Sequence, residues 1–338
     1  MKRFLPLLLA VLLLGGCTPK EPQESRYQAT FLELFDTVTT IVGYAPSEEA
    51  FQETAQDIHD ALESYHQLFD IYNTYPGVVN LKTLNETAAT APVKADEKII
   101  ELLKFCREVY DATSGKVNIA MGSVLQLWHD AREDGIADPA NAKLPQEEAL
   151  TEAAKHGDLS QLILDEEAGT VFYADPEMSL DVGAIAKGYA LEQVCKTAPE
   201  GLLISVGGNV RATGPKPDGG SWVVGIQNPT GEDGYLHTVE VQDISVVTSG
   251  DYQRYYTVDG VSYHHIIDPA TNYPGRLWRA VTVLCPDSGL ADGLSTALFL
   301  LPQEAGQALL DKFGCEALWV DSDNNLSYSP GFRDYIRT

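Results

Sequence analysis

Residues 246–275 constrain the fold of this chain most strongly, and they read VVTSGDYQRYYTVDGVSYHHIIDPATNYPG. A β-branched and aromatic run is followed by Asp259-Gly260, a pair that favours a two-residue hairpin turn. The returning strand carries His264 and His265, and adjacent strand residues point to opposite faces. At most one of these histidines therefore faces a given site. Asp268-Pro269 ends the strand, because proline has no N–H to donate to the ladder.

The hairpin alone does not decide its role. A purely structural hairpin has one apolar and one polar face. A structural histidine followed by a capping aspartate would fit the sequence as well as a catalytic pair. The other residues of the chain have to discriminate between a structural and a catalytic hairpin.

The first residues have the layout of an export signal. Residues 1–3 are Met-Lys-Arg, residues 4–14 are apolar, and Gly15-Gly16-Cys17 follows. The apolar run is too short to span a membrane, which takes about 20 residues. Its ending resembles a bacterial lipobox, so we expect a lipoprotein signal peptide at residues 1–16 and acylation of Cys17. The alternative is an ordinary secretory signal.

Residues 17–30 are expected to form a polar tether ahead of one domain, residues 31–338.

The charge of the chain limits its partners. Asp and Glu total 49 against 23 Lys and Arg, a net charge of −26. Nucleic acid is excluded as a partner class, because phosphate backbones require Lys and Arg. An anionic substrate would need local positive charge or a divalent cation in its site.

Beyond Cys17, the four remaining cysteines have no zinc-ligand spacing and suggest no disulfide framework.

Residues 178–188, MSLDVGAIAKG, predict a strand, a turn and a helix start. The strand ends at Asp181, Gly183 permits a tight turn, and the helix begins near Ala184. The N–H groups at such a helix start suit a pyrophosphate. Lys187 lies in the first turn, where a cation opposes the helix dipole, so we expect it to contact a ligand. The alternative is an exposed helix lysine.

Two further features are weak by themselves. Gly207-Gly208-Asn209 follows a buried-type strand, which indicates either a turn or close backbone approach to a ligand. Asp292 and Thr296 are four residues apart on a predicted helix, so their oxygens share one face. Such hard ligands suit Mg²⁺, but a helix cap with an incidental threonine is the alternative.

Taken together, five ordered blocks make the chain resemble the FAD:protein FMN transferase (ApbE) family. The match extends over about residues 31–319, nearly the whole mature chain. The blocks are LDVGAIAKGYA (180–190), SVGGN (205–209), TSGDYQRYY (248–256), HHIIDP (264–269) and ADGLSTALF (291–299). Two positions depart from the family pattern: Asn272 replaces a usual glycine, and Gly293 replaces a usual alanine.

The resemblance implies an α+β, two-lobed fold with mixed or antiparallel sheets flanked by helices, and FAD in the cleft between the lobes. We expect the boundary between the lobes near Met178. It implies transfer of the FMN part of FAD onto a Thr or Ser hydroxyl of an acceptor flavoprotein, with release of AMP. The acceptor is expected to be a subunit of a membrane redox complex.

The resemblance also implies the site residues. His265 would be the base and Asp268 its orienting carboxylate. Mg²⁺ would be held by Asp292, Thr296 and the carbonyl of Ala184. The residues expected to contact FAD are Asp181, Lys187, Gly207, Gly208, Asn209, Thr248, Ser249 and Gly250, and the candidates for stacking on the flavin are Tyr65, Tyr72 and Tyr75.

Two rival functions remain open at this point. If water replaces the acceptor hydroxyl, the same residues make a Mg²⁺-dependent FAD pyrophosphatase. A surface lipoprotein that only binds flavin is the other rival, although it would need no base.

Overall fold

A computed structural model describes residues 24–231 and 234–338. The predicted signal peptide and Cys17 lie outside the described residues. Within the described residues, no helix is both long and apolar enough to cross a membrane.

The α-helices of the described chain are separated by strands and long connections. They are α1 (Glu48–Phe69), α2 (Leu81–Thr87), α3 (Glu97–Ala112), α4 (Gly122–Ala137), α5 (Glu147–Ala153), α6 (Ala186–Cys195), α7 (Ser288–Phe299) and α8 (Gln303–Phe313).

The strands are mostly short. They are β1 (Ser25–Phe31), β2 (Thr39–Ala45), β3 (Val93–Lys94), β4 (Leu162–Asp165), β5 (Thr170–Tyr173), β6 (Leu203–Val206), β7 (Asn209–Ala212), β8 (Trp222–Gln227), β9 (Tyr235–Val241), β10 (Ser245–Gly250), β11 (Tyr255–Val258), β12 (Val261–His264), β13 (Ile267–Asp268), β14 (Tyr273–Pro274), β15 (Ala280–Cys285), β16 (Glu316–Val320) and β17 (Leu326–Tyr328).

One large antiparallel sheet organises the described chain, with strand order β1-β2-β6-β7-β10-β15-β16-β17. One face carries a core that includes residues of α1, α3, α6, α7 and α8. The opposite face packs against the β8–β9 hairpin and Phe332. Both faces are therefore covered, which explains why β15 is buried at every position. The expected α+β fold of helices and antiparallel sheets is confirmed.

The expected domain limits need two corrections. β1 begins at Ser25 and pairs with β2 over its full length, so residues 25–30 belong to the sheet rather than to a tether. Their polar composition does not prevent strand formation, because a strand at the edge of a sheet needs only one buried face. Met178 does not separate two sheets, since β2 pairs with β6 across it.

A smaller cluster stands beside the large sheet. It joins α4 and α5 to the predicted hairpin, with Trp128, Tyr256 and Ile267 in its core. The hairpin is confirmed as β11 and β12, and Asp259 and Gly260 at its turn have φ of 48° and 80°. Positive φ at both turn positions is the geometry that Asp-Gly favours. This cluster holds one wall of the candidate site.

The predicted strand–turn–helix at residues 178–188 is only partly formed. Ser179 makes a single bridge to Met121 instead of a strand. Asp181 closes the turn by accepting a hydrogen bond from the N–H of Gly183 at 2.8 Å. The helix starts at Ala186, so Ala184 lies in the turn before it and Lys187 in its first turn.

Candidate functional site

Helices α6 and α7 approach each other closely at the centre of the site. The backbone N–H of Gly188 donates to Asp292 Oδ2 at 2.8 Å, and Asp292 is only 5% exposed. A Cβ on Gly188 would overlap the carbonyl oxygen of Ser288 and lie 2.5 Å from Asp292 Cβ. Glycine at 188 therefore sets the distance between the helices and directs the Asp292 carboxylate toward the start of α6.

Three hydroxyl groups lie close together on α7 and β10. Thr296, one turn after Asp292 on α7, has its Oγ1 3.5 Å from Ser249 Oγ, which lies 2.8 Å from Ser295 Oγ. Strand β10 therefore places Ser249 beside the metal-type residues that the sequence predicted. Thr248 lies next to it but hydrogen-bonds across the sheet to Thr282 at 2.8 Å, and Gly250 is buried beneath the ring of Tyr252.

The donor set fits a hard divalent cation. Asp292 Oδ2 is held by Gly188, and Lys187 Nζ lies 3.8 Å from the same oxygen. The Thr296 hydroxyl has only the long 3.5 Å contact, and Ala184 is half-buried in the turn before α6. Carboxylate, hydroxyl and carbonyl oxygens suit Mg²⁺, which completes its shell with water or phosphate.

The two neighbouring histidines have different environments. His264 is buried: its Nε2–H donates to the Gly275 carbonyl at 2.7 Å, and its Nδ1 accepts from the N–H of Ile266 at 3.2 Å. Burial lowers the pKa of His264 to about 4. Both nitrogens are occupied, so His264 is structural and, as expected, points away from the site.

His265 is an exposed residue. It lies within electrostatic reach of Arg254, as do Asp181 and Tyr72, and we call this group of residues the candidate cleft. Its Nδ1 lies 3.3 Å from the carbonyl oxygen of Arg254, and because a carbonyl only accepts, Nδ1 carries the proton. The surrounding protein lowers the pKa of His265, and the positive charges of Arg254 and Lys187 lower it further. His265 is therefore neutral near pH 7, with Nε2 unprotonated and able to accept a proton.

Asp268 is not placed to orient His265. Its Oδ1 accepts from Lys116 Nζ at 2.8 Å and from the N–H of Ala270 at 3.0 Å. Among the described residues, no hydrogen bond joins His265 to Asp268. The expected pairing is corrected, because β12 has ended by residue 264 and the two side chains find partners in different segments.

Tyr72 and Asp181 belong to this group, and His129 lies beside them. The rings of Tyr72 and His129 stack with centroids 5.1 Å apart, and Arg132 Nη2 donates to His129 Nδ1 at 3.0 Å. Partial burial raises the pKa of Tyr72 to about 12, with Asp181 adding to the effect. Burial also raises the pKa of Asp181, against the hydrogen bond from the Gly183 N–H and the positive charges of Arg254 and Lys187.

The same two cations act on both groups of residues. Lys187 and Arg254 act on His265 and on Asp181, although His265 and Asp181 lie on different segments. A chain of net charge −26 thus concentrates cations in this one cleft. An anionic ligand of such an acidic chain needs local positive charge, and Lys187 and Arg254 supply it here.

The three candidate stacking tyrosines are now distinguishable. Tyr65 packs against Phe69 and lies under the Lys98 ammonium. Tyr75 donates its hydroxyl to Asp70 at 2.7 Å. Tyr72 is 44% exposed, with His129 stacked on its ring. Only Tyr72 of these three combines an accessible ring with a place among the cleft residues.

The Gly207-Gly208-Asn209 turn joins β6 to β7. Gly207 and Gly208 have φ of 56° and 90°, and a Cβ on Gly207 would lie 2.7 Å from Thr37 Oγ1. The glycines thus form a tight turn, and Gly207 packs closely against Thr37. Asn209 is 3% exposed, and its Nδ2 has no hydrogen-bond partner in the described residues. Such an orphaned donor fits a site that a ligand completes.

Sequence reasoning missed Arg254, His129, Arg132 and Lys116. Arg254 lies within the block TSGDYQRYY, which the resemblance had already selected. A cation in that block could have been recognised as a candidate for contact with an anionic ligand. His129, Arg132 and Lys116 carried no local signal, because their partners Tyr72 and Asp268 are remote in the chain.

A separate surface cavity of about 550 Å³ lies between α1, β3 and residues 77–79. None of the predicted site residues lines it. His59, Asp60 and Glu63 are grouped nearby, but exposed acidic groups are common on such a chain.

Comparisons with known proteins show the family of this chain. The sequence profile of the ApbE family matches residues 35–319. The FAD:protein FMN transferase of Treponema pallidum is 34% identical over 313 residues, covering 84% of this chain and 83% of the relative. The FAD:protein FMN transferase of Klebsiella pneumoniae is 30% identical over 282 residues, covering 81% and 84%.

A solved structure supports the fold. The crystal structure of an ApbE protein from Thermotoga maritima superposes with a TM-score of 0.82 at 29% identity, covering 93% of this chain and all of that one. With a profile match over most of its length, this chain belongs to the ApbE family.

Proposed function

We propose that this protein transfers the FMN portion of FAD onto a Ser or Thr hydroxyl of an acceptor flavoprotein and releases AMP. One observation carries the proposal: a neutral imidazole, His265, shares a cleft with the cations Lys187 and Arg254 in a strongly acidic chain. The names of the relatives, FAD:protein FMN transferase, support it.

The reaction makes one bond and breaks one. The acceptor hydroxyl oxygen bonds to the FMN-side phosphorus, and the bond from that phosphorus to the bridging oxygen breaks, so AMP leaves with the electron pair. The hydroxyl proton passes to His265 Nε2, since Nδ1–H is committed to the Arg254 carbonyl. Lys187 and Arg254 stabilise negative charge on the phosphates.

A magnesium ion belongs to this proposal. Asp292, Thr296 and the carbonyl of Ala184 would hold it, and when bound it offsets the charge of the pyrophosphate. Gly188 and Lys187 constrain Asp292 Oδ2 from the protein side. The hydroxyl of Ser249 stands next to Thr296 and keeps that side of the site polar.

We place the flavin against Tyr72, with FAD lying along the cleft. We expect the Gly207-Gly208-Asn209 turn, Asp181 and residues 248–250 to contact the rest of FAD. The orphaned Asn209 Nδ2 is the donor that a nucleotide oxygen would satisfy. The acceptor, expected in a membrane redox complex, would approach from the solvent side of His265.

Hydrolysis of FAD to FMN and AMP is the second candidate. His265 is an exposed residue, and this favours hydrolysis, because water could then compete with an acceptor hydroxyl for the base. Anchoring at the extracytoplasmic face of a membrane through acylated Cys17 remains a proposal from the sequence, tested by mass measurement of the mature N-terminus.

The test is to incubate the purified protein with FAD and Mg²⁺, with and without an acceptor bearing an FMN-attachment site. Transfer predicts AMP together with an acceptor mass increase of one FMN unit. AMP and free FMN regardless of acceptor would indicate the pyrophosphatase. FAD binding without AMP would indicate a flavin carrier and contradict both enzymatic functions.

The matched variants are His265→Ala and His59→Ala, the latter a histidine on the outer side of α1. We expect His265→Ala to bind FAD normally and lose turnover by about 10²- to 10⁴-fold, the usual worth of a general base. His59→Ala should behave as the unaltered protein. Simultaneous loss of binding and turnover in His265→Ala would argue against a base.

A further inference from the structure

Glu192 is a buried acid outside the cleft. It lies on α6, is 7% exposed, and its Oε2 accepts from the N–H of Ser288 at 2.8 Å. Arg211 Nε approaches the same oxygen at 3.3 Å. A buried carboxylate is costly unless it is paired and hydrogen-bonded, so its contacts specify an arrangement.

The contacts of Glu192 mirror those of Asp292. Glu192 on α6 accepts the N–H of Ser288 on α7, and Asp292 on α7 accepts the N–H of Gly188 on α6, both at 2.8 Å. Gly188 and Glu192 are four residues apart, as are Ser288 and Asp292. Each helix therefore supplies one acid and one N–H, one turn apart, and the two bonds fix the register of the helices.

Arg211 extends this link to the large sheet. It lies on β7, the strand that leaves the Gly207-Gly208 turn, and its Nη2 lies 2.7 Å from Asp243. Its Nη1 also donates to the carbonyl of Ala212. Glu192 thus joins three elements that carry site residues: α6 with Lys187, α7 with Asp292 and Thr296, and β7 after the glycine turn.

We propose that Glu192 is a positioning residue that holds Asp292 in place for cation binding by fixing the register of α7 against α6. The inference rests on the proposed function, because it takes Asp292 and Thr296 as cation ligands. Glu192 itself touches neither cation nor substrate. Its loss would let the start of α7 shift and would leave Arg211 and the N–H of Ser288 buried without their acceptor.

The test measures cation binding directly. Mn²⁺ is titrated into the protein in the presence of FAD, and free Mn²⁺ is followed by electron paramagnetic resonance. All variants carry His265→Ala, so that FAD is not consumed. Compared in this background are Glu192→Ala, Glu192→Gln, Asp292→Ala and Glu200→Gln, the last an exposed acid beyond the end of α6.

We expect Glu192→Ala to weaken Mn²⁺ binding about ten-fold, the usual cost of losing a residue that orients a ligand. Asp292→Ala should abolish binding, and Glu200→Gln should leave it unchanged. Glu192→Gln keeps an oxygen for the Ser288 N–H and should recover part of the affinity. Thermal melts establish that each variant is folded at the titration temperature, and Glu192→Gln serves if Glu192→Ala does not fold.

Unchanged Mn²⁺ affinity in folded Glu192→Ala and Glu192→Gln, with melting temperature alone lowered, would overturn the inference and leave Glu192 merely structural. Failure of the parent His265→Ala protein to bind Mn²⁺ would also overturn it. The titration needs no turnover. If the flavin-transfer assay fails while Glu192→Ala still loses Mn²⁺, the positioning role stands and only the proposed reaction is rejected.

Discussion

The N–H of Gly188 donates to Asp292 at 2.8 Å while its α-carbon faces the backbone of α7. We expect Gly188→Ala to push the helices apart, destabilising the fold by about 1–3 kcal/mol, as overpacking does, and weakening Mn²⁺ binding. Urea unfolding and the Mn²⁺ titration measure the two effects.

Gly293→Ala on α7 is the matched control. The three atoms nearest to its Cβ would all be side-chain atoms, of Val109 at 2.9 and 3.7 Å and of Ile185 at 3.8 Å, rather than backbone. Alanine also improves helix propensity by about 1 kcal/mol. Equal damage from both substitutions would show that the close approach at Gly188 is not special.

The pH dependence of kcat/KM should report on His265. The base acts when neutral, and the surrounding protein together with the positive charge of Arg254 lowers the pKa of His265. Activity should therefore persist as pH falls through about 6.5, the ordinary histidine pKa, and decline only at more acid pH. Arg254→Gln removes a positive charge but keeps the carbonyl, so its acid limb should move upward. An acid limb at or above 6.5 in the unaltered protein would contradict this assignment.

Asp268 and Lys116 should behave as a unit. They form a half-buried ion pair at 2.8 Å, which joins β13 to the connection after α3. We expect Asp268→Asn and Lys116→Met to lower turnover to similar extents, with the double variant little worse than either, because paired groups are not additive. A shift of the acid limb in Asp268→Asn alone would restore the orienting role that the sequence had suggested.

Tyr72 should contribute stacking rather than its hydroxyl. Tyr72→Ala is expected to weaken FAD binding about ten-fold, in line with about 1–3 kcal/mol for an aromatic–base stack, whereas Tyr72→Phe should bind as before. Flavin fluorescence quenching gives both affinities. Tyr75→Phe is the control, since its hydroxyl serves Asp70. Equal weakening in Tyr72→Phe and Tyr72→Ala would point to a hydrogen bond instead.

Much of the local structure followed from neighbouring residues. Asp259-Gly260 specified a hairpin because both positions require positive φ. Ser47 caps α1 by accepting from the N–H of Ala50, which is a local signal of the same kind. The expected end of the tether at residue 30 was wrong, because polar residues of an edge strand resemble a tether in composition.

For the candidate site, too, part could be predicted from the sequence and part could not. The resemblance gathered Asp292, Thr296, Lys187 and His265 from separate blocks, and the structure places Lys187 and Thr296 around Asp292. The resemblance could not separate Tyr72 from Tyr65 and Tyr75, because the difference lies in what each ring contacts.

The sequence by itself determined the turns, the helix starts and the residue types that chemistry needs, since these depend on neighbours a few positions away. Only the tertiary structure decided that Asp268 pairs with Lys116, 152 residues earlier, and that Glu192 accepts the N–H of Ser288, 96 residues later. Such partners are chosen by how the helices and strands pack, and no local spacing encodes that choice.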